Sequence, residues 1–474
     1  MYKIKKLIIM NKKYILISFI ILLSTSVTAQ INLPSFFSDN MVLQRNSEVN
    51  FWGWANRGAD VTIIPSWTNI PVKVKSTGYA RFDVKLKTPE AGGPFDITVV
   101  CGVYKKVLKN ILIGEVWLCS GQSNMQWNSN NKLKEMLDEL PNATNQKVRL
   151  LQVSNIASLN PQDNIYDSWK ECNPETAIGF SAIGYFIAKE LSQELNVPIG
   201  IINASWGGTA AEFWTPSHII EKDEELLTNA KKQKPSPSKP HDAGSLWNAM
   251  INPLVGYNIA GVFWYQGESN IVSYSGYNKL FSAMIKSWRD AWKYEFPFYY
   301  VQIAPYDYKS KPEEQRGALL REQQIKTLQL PKTGMVVVTD LVTDIKNIHP
   351  TKKMEVAKRL ARLAIVDTYG RKSNDYKSPV YKSHTVVGNN VIIEFDDIIG
   401  KLKVEGPLIT DLLIADESQK FFPADYKISN NKLIVFNKSI KVPVAVRFGF
   451  TDVSTPNLFN SNGLPVSPFR TDKW

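Results

Sequence analysis

Between Ile111 and Tyr369, short apolar runs alternate with segments patterned at helical spacing, and this alternation constrains the fold more than anything else in the chain. The runs Ile111–Cys119, Val148–Val153, Pro198–Asn203, Ile259–Tyr265, Phe298–Ile303 and Met335–Thr339 have the length and apolar continuity of strands buried on both faces. Phe180–Leu195 and Tyr277–Trp292 repeat apolar residues every three or four positions, and Glu313–Leu328 and Lys352–Tyr369 read as two further helices. Strand and helix in alternation predict a mostly parallel sheet covered on both faces.

The flanks have a different texture. From Gln30 to about Asn110, runs such as Val49–Trp54, Ala59–Ile64, Ala80–Leu86 and Phe95–Val100 are β-like and broken by turn residues, which predicts a small β-sandwich. Beyond Arg371, Val391–Phe395, Leu402–Glu405, Leu433–Phe436 and Val444–Phe450 read as strands, with Asn430-Asn431 as a hairpin turn. The expected organisation is a leader over 1–29, a β-sandwich-like domain over 30–110, an α/β domain over 111–370 and a β-rich module over 371–474. A chain of 474 residues exceeds what one core supports, in keeping with several domains.

Residues 1–29 carry five lysines, no acid, an apolar stretch over Tyr14–Leu23 and small residues at Val27 and Ala29. This is the pattern of a secretory signal cut before Gln30, so the chain is expected to be exported, periplasmic or extracellular. The apolar stretch is short for a membrane span, and no later segment approaches the length of one. Without the leader the formal charge falls from +12 to +7, and no Lys/Arg run with interleaved aromatics follows, so no nucleic-acid partner is expected. The three cysteines, Cys101, Cys119 and Cys172, permit at most one disulfide within the chain, and no CxxC or His/Cys cluster suggests a metal.

Polar turns rich in small residues follow several of the predicted strands, at the edge where open α/β sheets place their chemistry. Ser120-Gly-Gln-Ser-Asn-Met125 follows the first and offers Ser123 as a nucleophile. Asn203-Ala-Ser-Trp-Gly-Gly-Thr209 offers Gly207 and Gly208, whose backbone can approach a developing oxyanion closely. Gln266-Gly-Glu-Ser-Asn270 offers the Gln266 amide as a further donor; Ser205 and Ser269 are rival nucleophiles. Of the four histidines, His218, His241 and His384 have no obvious place at that edge, whereas His349 lies beyond Met335–Thr339 and just before Pro350, placed as the first residue of a helix. The second glycine of Gly-x-Ser-x-Gly is missing, as are phosphate-binding and dinucleotide-binding glycine motifs. Glu115, Glu212 and Glu268 leave a glycosidase carboxylate pair as a competing reading.

Taken together, Ser120–Met125, Trp206-Gly-Gly-Thr209, Trp264-Tyr-Gln-Gly-Glu-Ser-Asn270, Leu246–Pro253, Ile348-His-Pro350 and the segment from Asn457 to Asp472 resemble the SGNH hydrolases, and within them the sialate O-acetylesterases. The resemblance runs from about Ile111 to the C-terminus. It implies a flavodoxin-like three-layer domain, Ser123 as nucleophile, His349 as base, and an oxyanion site shared by the Ser123 amide, the Gly207/Gly208 turn and Gln266. It implies no metal or organic cofactor, and as reaction the release of acetate from an acetylated sugar through an acyl-enzyme. The sequence departs from the family where many members carry an aspartate three residues before the histidine: Lys346 stands there. Asp344 is the preferred orienting acid, Asp340 the next, and a dyad without an acid the remaining possibility. The expected substrate is O-acetylated sialic acid, with acetylated xylan or another glycan as the alternative, and a non-catalytic glycan-binding protein as the reading from another class. Oligomeric state is not legible.

Overall fold

The computed structural model describes residues 31–474 except 237, 238, 312, 313 and 375. The expected leader and the first residue of the expected helix Glu313–Leu328 lie outside the described residues. The described chain divides into two compact units: residues 31–33, Phe51–Leu86 and Asp96–Val107 form one, and Pro34–Asn50, Lys87–Phe95 and Leu108–Trp474 the other.

The smaller unit is antiparallel β. Asp60–Pro65 pairs with Val72–Lys75 on one side and with the end of Gly92–Cys101 on the other. Its inward residues Val61 and Ile63 are fully buried with Phe82, Ile97 and Val99, while alternate positions face outward, as a half-buried strand requires.

The larger unit is built on a sheet whose strands we label in chain order: β1 (Tyr104–Gly121, which belongs to this unit from Leu108 onward), β2 (Asn145–Gln152), β3 (Lys170–Cys172), β4 (Ile199–Ser205), β5 (Gly261–Tyr265), β6 (Phe298–Val301) and β7 (Thr333–Val336). Their spatial order is β7-β6-β5-β1-β4-β2-β3. Pairing is parallel throughout except at β3, which runs antiparallel to β2. From β1 the chain winds to one side through β2, β3 and β4, then to the other through β5, β6 and β7. The carboxyl end of β1 is therefore the switch point at which a cleft opens.

Period-2 alternation sends each strand's side chains to two different cores. Trp117, Cys119, Ile199, Ile201, Phe263, Tyr265, Tyr299 and Val336 pack with the helices α2 (Ala182–Leu195) and α5 (Lys353–Leu363). On the other face Trp264, Phe298 and Tyr300 meet Phe281 and Trp288 of α3 (Tyr277–Trp292), with ring centroids 5.1–6.1 Å apart. Helices on both faces give the expected three layers. Two expectations change in detail. The helix read as Glu313–Leu328 is α4, Arg316–Lys326. Pro350 is not the first residue of a helix: α5 starts at Lys353, so His349 sits on a loop rather than at a helix start.

Among the described residues the β-rich end holds two four-stranded antiparallel sheets over one core, with Leu402–Val404 and Leu458–Asn460 paired as a smaller third. One contains Val380–Val387, Asn390–Asp396, Lys432–Phe436 and Asp425–Ser429; the other contains Phe421–Pro423, Leu412–Asp416, Pro443–Phe448 and Phe469–Arg470. Val391, Ile393, Leu433 and Val435 of the first meet Ile414, Val446, Phe448 and Phe469 of the second. Asn430 and Asn431 both have positive φ (50° and 59°) and close the hairpin at Ser429 and Lys432, as their sequence suggested. Cys101, Cys119 and Cys172 are all buried free thiols.

Candidate active site

Register places the site. Gly121 at the end of β1 lies opposite Ser205 of β4 and Tyr265 of β5, so the three polar turns leave the sheet side by side. Gly121 has φ +132°, and a β-carbon there would lie 2.2 Å from the Tyr265 carbonyl oxygen. Only glycine permits this close turn out of the strand. Gln122 is held next to it, its N–H donating to the Tyr265 carbonyl at 3.0 Å. Ser123 then opens α1 (Ser123–Gln126), in the first turn of a short helix, where backbone amides have no intrahelical acceptor.

His349 arrives from the loop after β7. Its Nε2 lies 2.9 Å from Ser123 Oγ. The ring stacks on Trp127 with centroids 4.1 Å apart and planes 22° from parallel. The loop is shaped by side-chain turns: Asp344 Oδ1 accepts the Lys346 N–H at 2.9 Å, and Asn347 Oδ1 accepts the His349 N–H at 3.0 Å. Burial, and after it the nearby Lys353 cation, push His349 down to about 4. The imidazole is therefore neutral near pH 7, with a lone pair on Nε2 free to take the Ser123 proton.

Other expected residues are placed as follows. Gly207 is against Ser123, since a β-carbon on it would come 3.2 Å from Ser123 Cβ. Its N–H donates to Gln126 Oε1 at 2.8 Å, so a partly exposed side chain covers that donor. Gly208 has φ +70°, and the Lys239 ammonium fills the space a side chain would take. Gln266 is not brought to the oxyanion position. It is fully buried, its Nε2 donates to the Thr209 carbonyl at 3.2 Å and to Asn270 Oδ1 at 2.7 Å, and its Oε1 accepts from Tyr277. With both amide hydrogens engaged it ties the β4 and β5 turns together instead.

Neither candidate acid reaches the imidazole. Asp344 is exposed and serves its own turn. Asp340 forms a two-point pair with Arg359, at 2.8 and 2.6 Å. Among the described residues no carboxylate is bonded to the His349 ring. The rival serines are placed less favourably: Ser205 is buried and donates to Asn203 Oδ1 at 2.9 Å, and the Ser269 N–H donates to Gln122 Oε1 at 3.3 Å. The three glutamates are also occupied. Glu115, opposite Ile199 at the start of β4, binds Arg45 and Gln44, Glu212 accepts from Asn270, and Glu268 accepts from Asn124.

Sequence reasoning missed Asn124, Trp127 and Lys353. Asn124 Nδ2 donates to Glu268 Oε1 at 2.6 Å and to the Ile348 carbonyl at 3.1 Å, while its Oδ1 accepts from Lys353 Nζ at 2.6 Å. The one available signal was Lys353 itself: it stands in helical register with Val356, Ala357 and Leu360, on the stripe that should be apolar.

The chain matches the model of the sialic acid-specific acetylesterase family of carbohydrate esterases over residues 113–366. It is 28% identical to the sialate O-acetylesterase of Mus musculus, spanning 94% of this chain and 95% of that one. It is also 28% identical to the sialate O-acetylesterase of Homo sapiens, over 92% of this chain and 91% of the relative. Among solved structures, a carbohydrate acetylesterase from Xanthomonas citri superposes with a TM-score of 0.86 at 34% identity, covering 94% of this chain and all of that one. These agree with the expected family and with its flavodoxin-like α/β fold flanked by β modules. The chain belongs to the sialic acid-specific acetylesterase family of carbohydrate esterases, and it is an esterase.

Proposed function

We propose that this esterase removes O-acetyl groups from sialic acids through an acyl-enzyme on Ser123, with His349 as base and no third, acidic member. The observation that carries this reading is the 2.9 Å contact between His349 Nε2 and Ser123 Oγ, made by an imidazole held neutral. Ser123 Oγ attacks the acetyl carbonyl carbon as its proton passes to Nε2. The developing oxyanion lies against the Ser123 N–H and, once Gln126 yields it, the Gly207 N–H. Collapse breaks the bond to the sugar oxygen, which takes the proton from Nε2. Water then attacks the acetyl-serine with His349 again as base, and acetate leaves with Ser123 restored. The imidazolium formed on the way rests on the face of Trp127, where a ring quadrupole favours a cation. The sugar is assigned from the mammalian relatives' names. Export is part of the proposal and rests on the leader pattern of residues 1–29.

Acetate release from O-acetylated sialic acid and from acetyl-xylan, measured side by side, tests the substrate. Release from the sialic acid that disappears in Ser123→Ala supports the proposal. Release from the xylan alone moves the assignment to another acetylated glycan, and release from neither excludes both substrates for this esterase. N-terminal sequencing of protein recovered outside the cytoplasm should begin at Gln30.

A further inference from the structure

An esterase base without a carboxylate on Nδ1 still has to be held in place, because orientation of the imidazole is the main task of the third residue in a triad. Lys353 is 1% exposed. Burying an ammonium is costly unless it is hydrogen-bonded and compensated. Yet among the described residues it forms no direct ion pair. Its Nζ donates to Asn124 Oδ1 at 2.6 Å and lies 5.8 and 5.6 Å from the ring centres of Trp127 and Tyr265. A side-chain amide can be turned either way. With an ammonium on one side and the Glu268 carboxylate on the other, only one orientation satisfies both. That orientation aims Asn124 Nδ2 at the Ile348 carbonyl, in the peptide bond that leads into His349. The indole that Lys353 approaches is the one stacked on the imidazole.

We infer that Lys353, acting through Asn124, is a positioning residue for the base: it locks the amide that pins the Ile348–His349 peptide, and so keeps Nε2 against Ser123 Oγ. The inference rests on the Ser123–His349 reading given above. The groups facing Lys353 are Glu268 and Tyr265 from β5 and its turn, Glu135 from the helix Lys134–Glu139, and His349 from its own loop. Burial pushes Lys353 down to about 7 against the opposing pull of Glu268 and Glu135. At the pH where His349 takes up a proton, Lys353 is thus a cation that disfavours this.

The experiment is a kinetic cycle of Lys353→Met, Asn124→Ala and the double variant, each shown folded by circular dichroism, with pH profiles of kcat/KM. Lys353→Met should lower kcat by between about 10- and 100-fold with KM within about twofold, the scale of a misplaced catalytic group. Its acid limb should move to higher pH because a cation beside His349 is gone. Asn124→Ala should lower kcat similarly, and the double variant should lose no more than the worse single one. A folded Lys353→Met with wild-type kcat and acid limb overturns the inference, as do losses that multiply in the double variant. If Lys353→Met does not fold, Asn124→Ala with wild-type kcat overturns it instead. Residual turnover in Ser123→Ala would instead overturn the underlying reading, so the two failures are distinguishable.

Discussion

Burial and the Lys353 cation place the His349 titration near 4, well below an exposed histidine, and that has a direct consequence for the rate. The base works only when neutral. Activity should therefore persist as pH falls through 6.5 and be lost as it falls through about 4, which the acid limb of kcat/KM reports for the free enzyme. A midpoint near 6.5 would show the imidazole to be exposed in the working protein. The sign for stability is the same. The unfolded chain takes up this proton from about 6.5 downward while the folded one resists until about 4, so the contribution of His349 to stability declines across that window. The two aspartates separate cleanly at this scale. Asp344→Ala should stay within about twofold of wild-type kcat, against the roughly 10⁴-fold loss expected of a true third triad member. Asp340→Ala should cost about 2–3 kcal/mol in urea unfolding, because it strips the buried Arg359 of a charged partner. The residual activity per folded molecule should be unchanged.

The elements explain why some of this was legible beforehand and some was not. The strand runs ending in Cys119, Asn203 and Tyr265 were readable because strands buried on both faces are nearly continuous in apolar residues, Glu115 being the charged exception in the first. The exposed strand Val380–Val387 escaped notice because its buried face is little more than Val380. Short strands such as Val42–Gln44, parallel to β1, have too few residues to show a period. Ser123, Gly207 and His349 were legible because their turns are local and each follows a recognisable run. What Gln266 does was not, since the saturation of its amide depends on Thr209, Asn270 and Tyr277, contacts made only on folding. Two glycines test the turns. Gly121→Ala sets a β-carbon against the Tyr265 carbonyl at positive φ and should cost at least about 2 kcal/mol of stability. Gly207→Ala should leave unfolding nearly unchanged while crowding Ser123 Cβ and the amide beside it, lowering kcat by roughly 10- to 100-fold.

Across the larger unit, the β-rich end is tied to the α/β layers by buried and partly buried polar contacts. Asp452 Oδ1 accepts the Gly317 N–H at 2.7 Å, so a carboxylate from the C-terminal segment caps the start of α4. Gln302 at the end of β6 donates to Ser467 Oγ at 3.0 Å, and Arg470 pairs with Glu322 at 3.1 Å. Asp452→Ala should lower stability by about 1–2 kcal/mol, and a single unfolding transition followed by both near-ultraviolet and far-ultraviolet dichroism would show that the β-rich end melts with the α/β layers. Separate transitions would contradict that. The sequence texture marked where β regions begin but held no trace of these ties, because they join residues more than a hundred positions apart. Among the described residues, no helix is long and apolar enough to cross a membrane.

The most direct test of the Ser123–His349 account is covalent. The protein is treated with a serine-directed organophosphorus probe, and the modified peptide is located by mass spectrometry. The account predicts one adduct, on Ser123, that is absent in Ser123→Ala and forms far more slowly in His349→Ala. Labelling of Ser123→Ala at the wild-type rate, or acetate release that survives in it, would contradict the account.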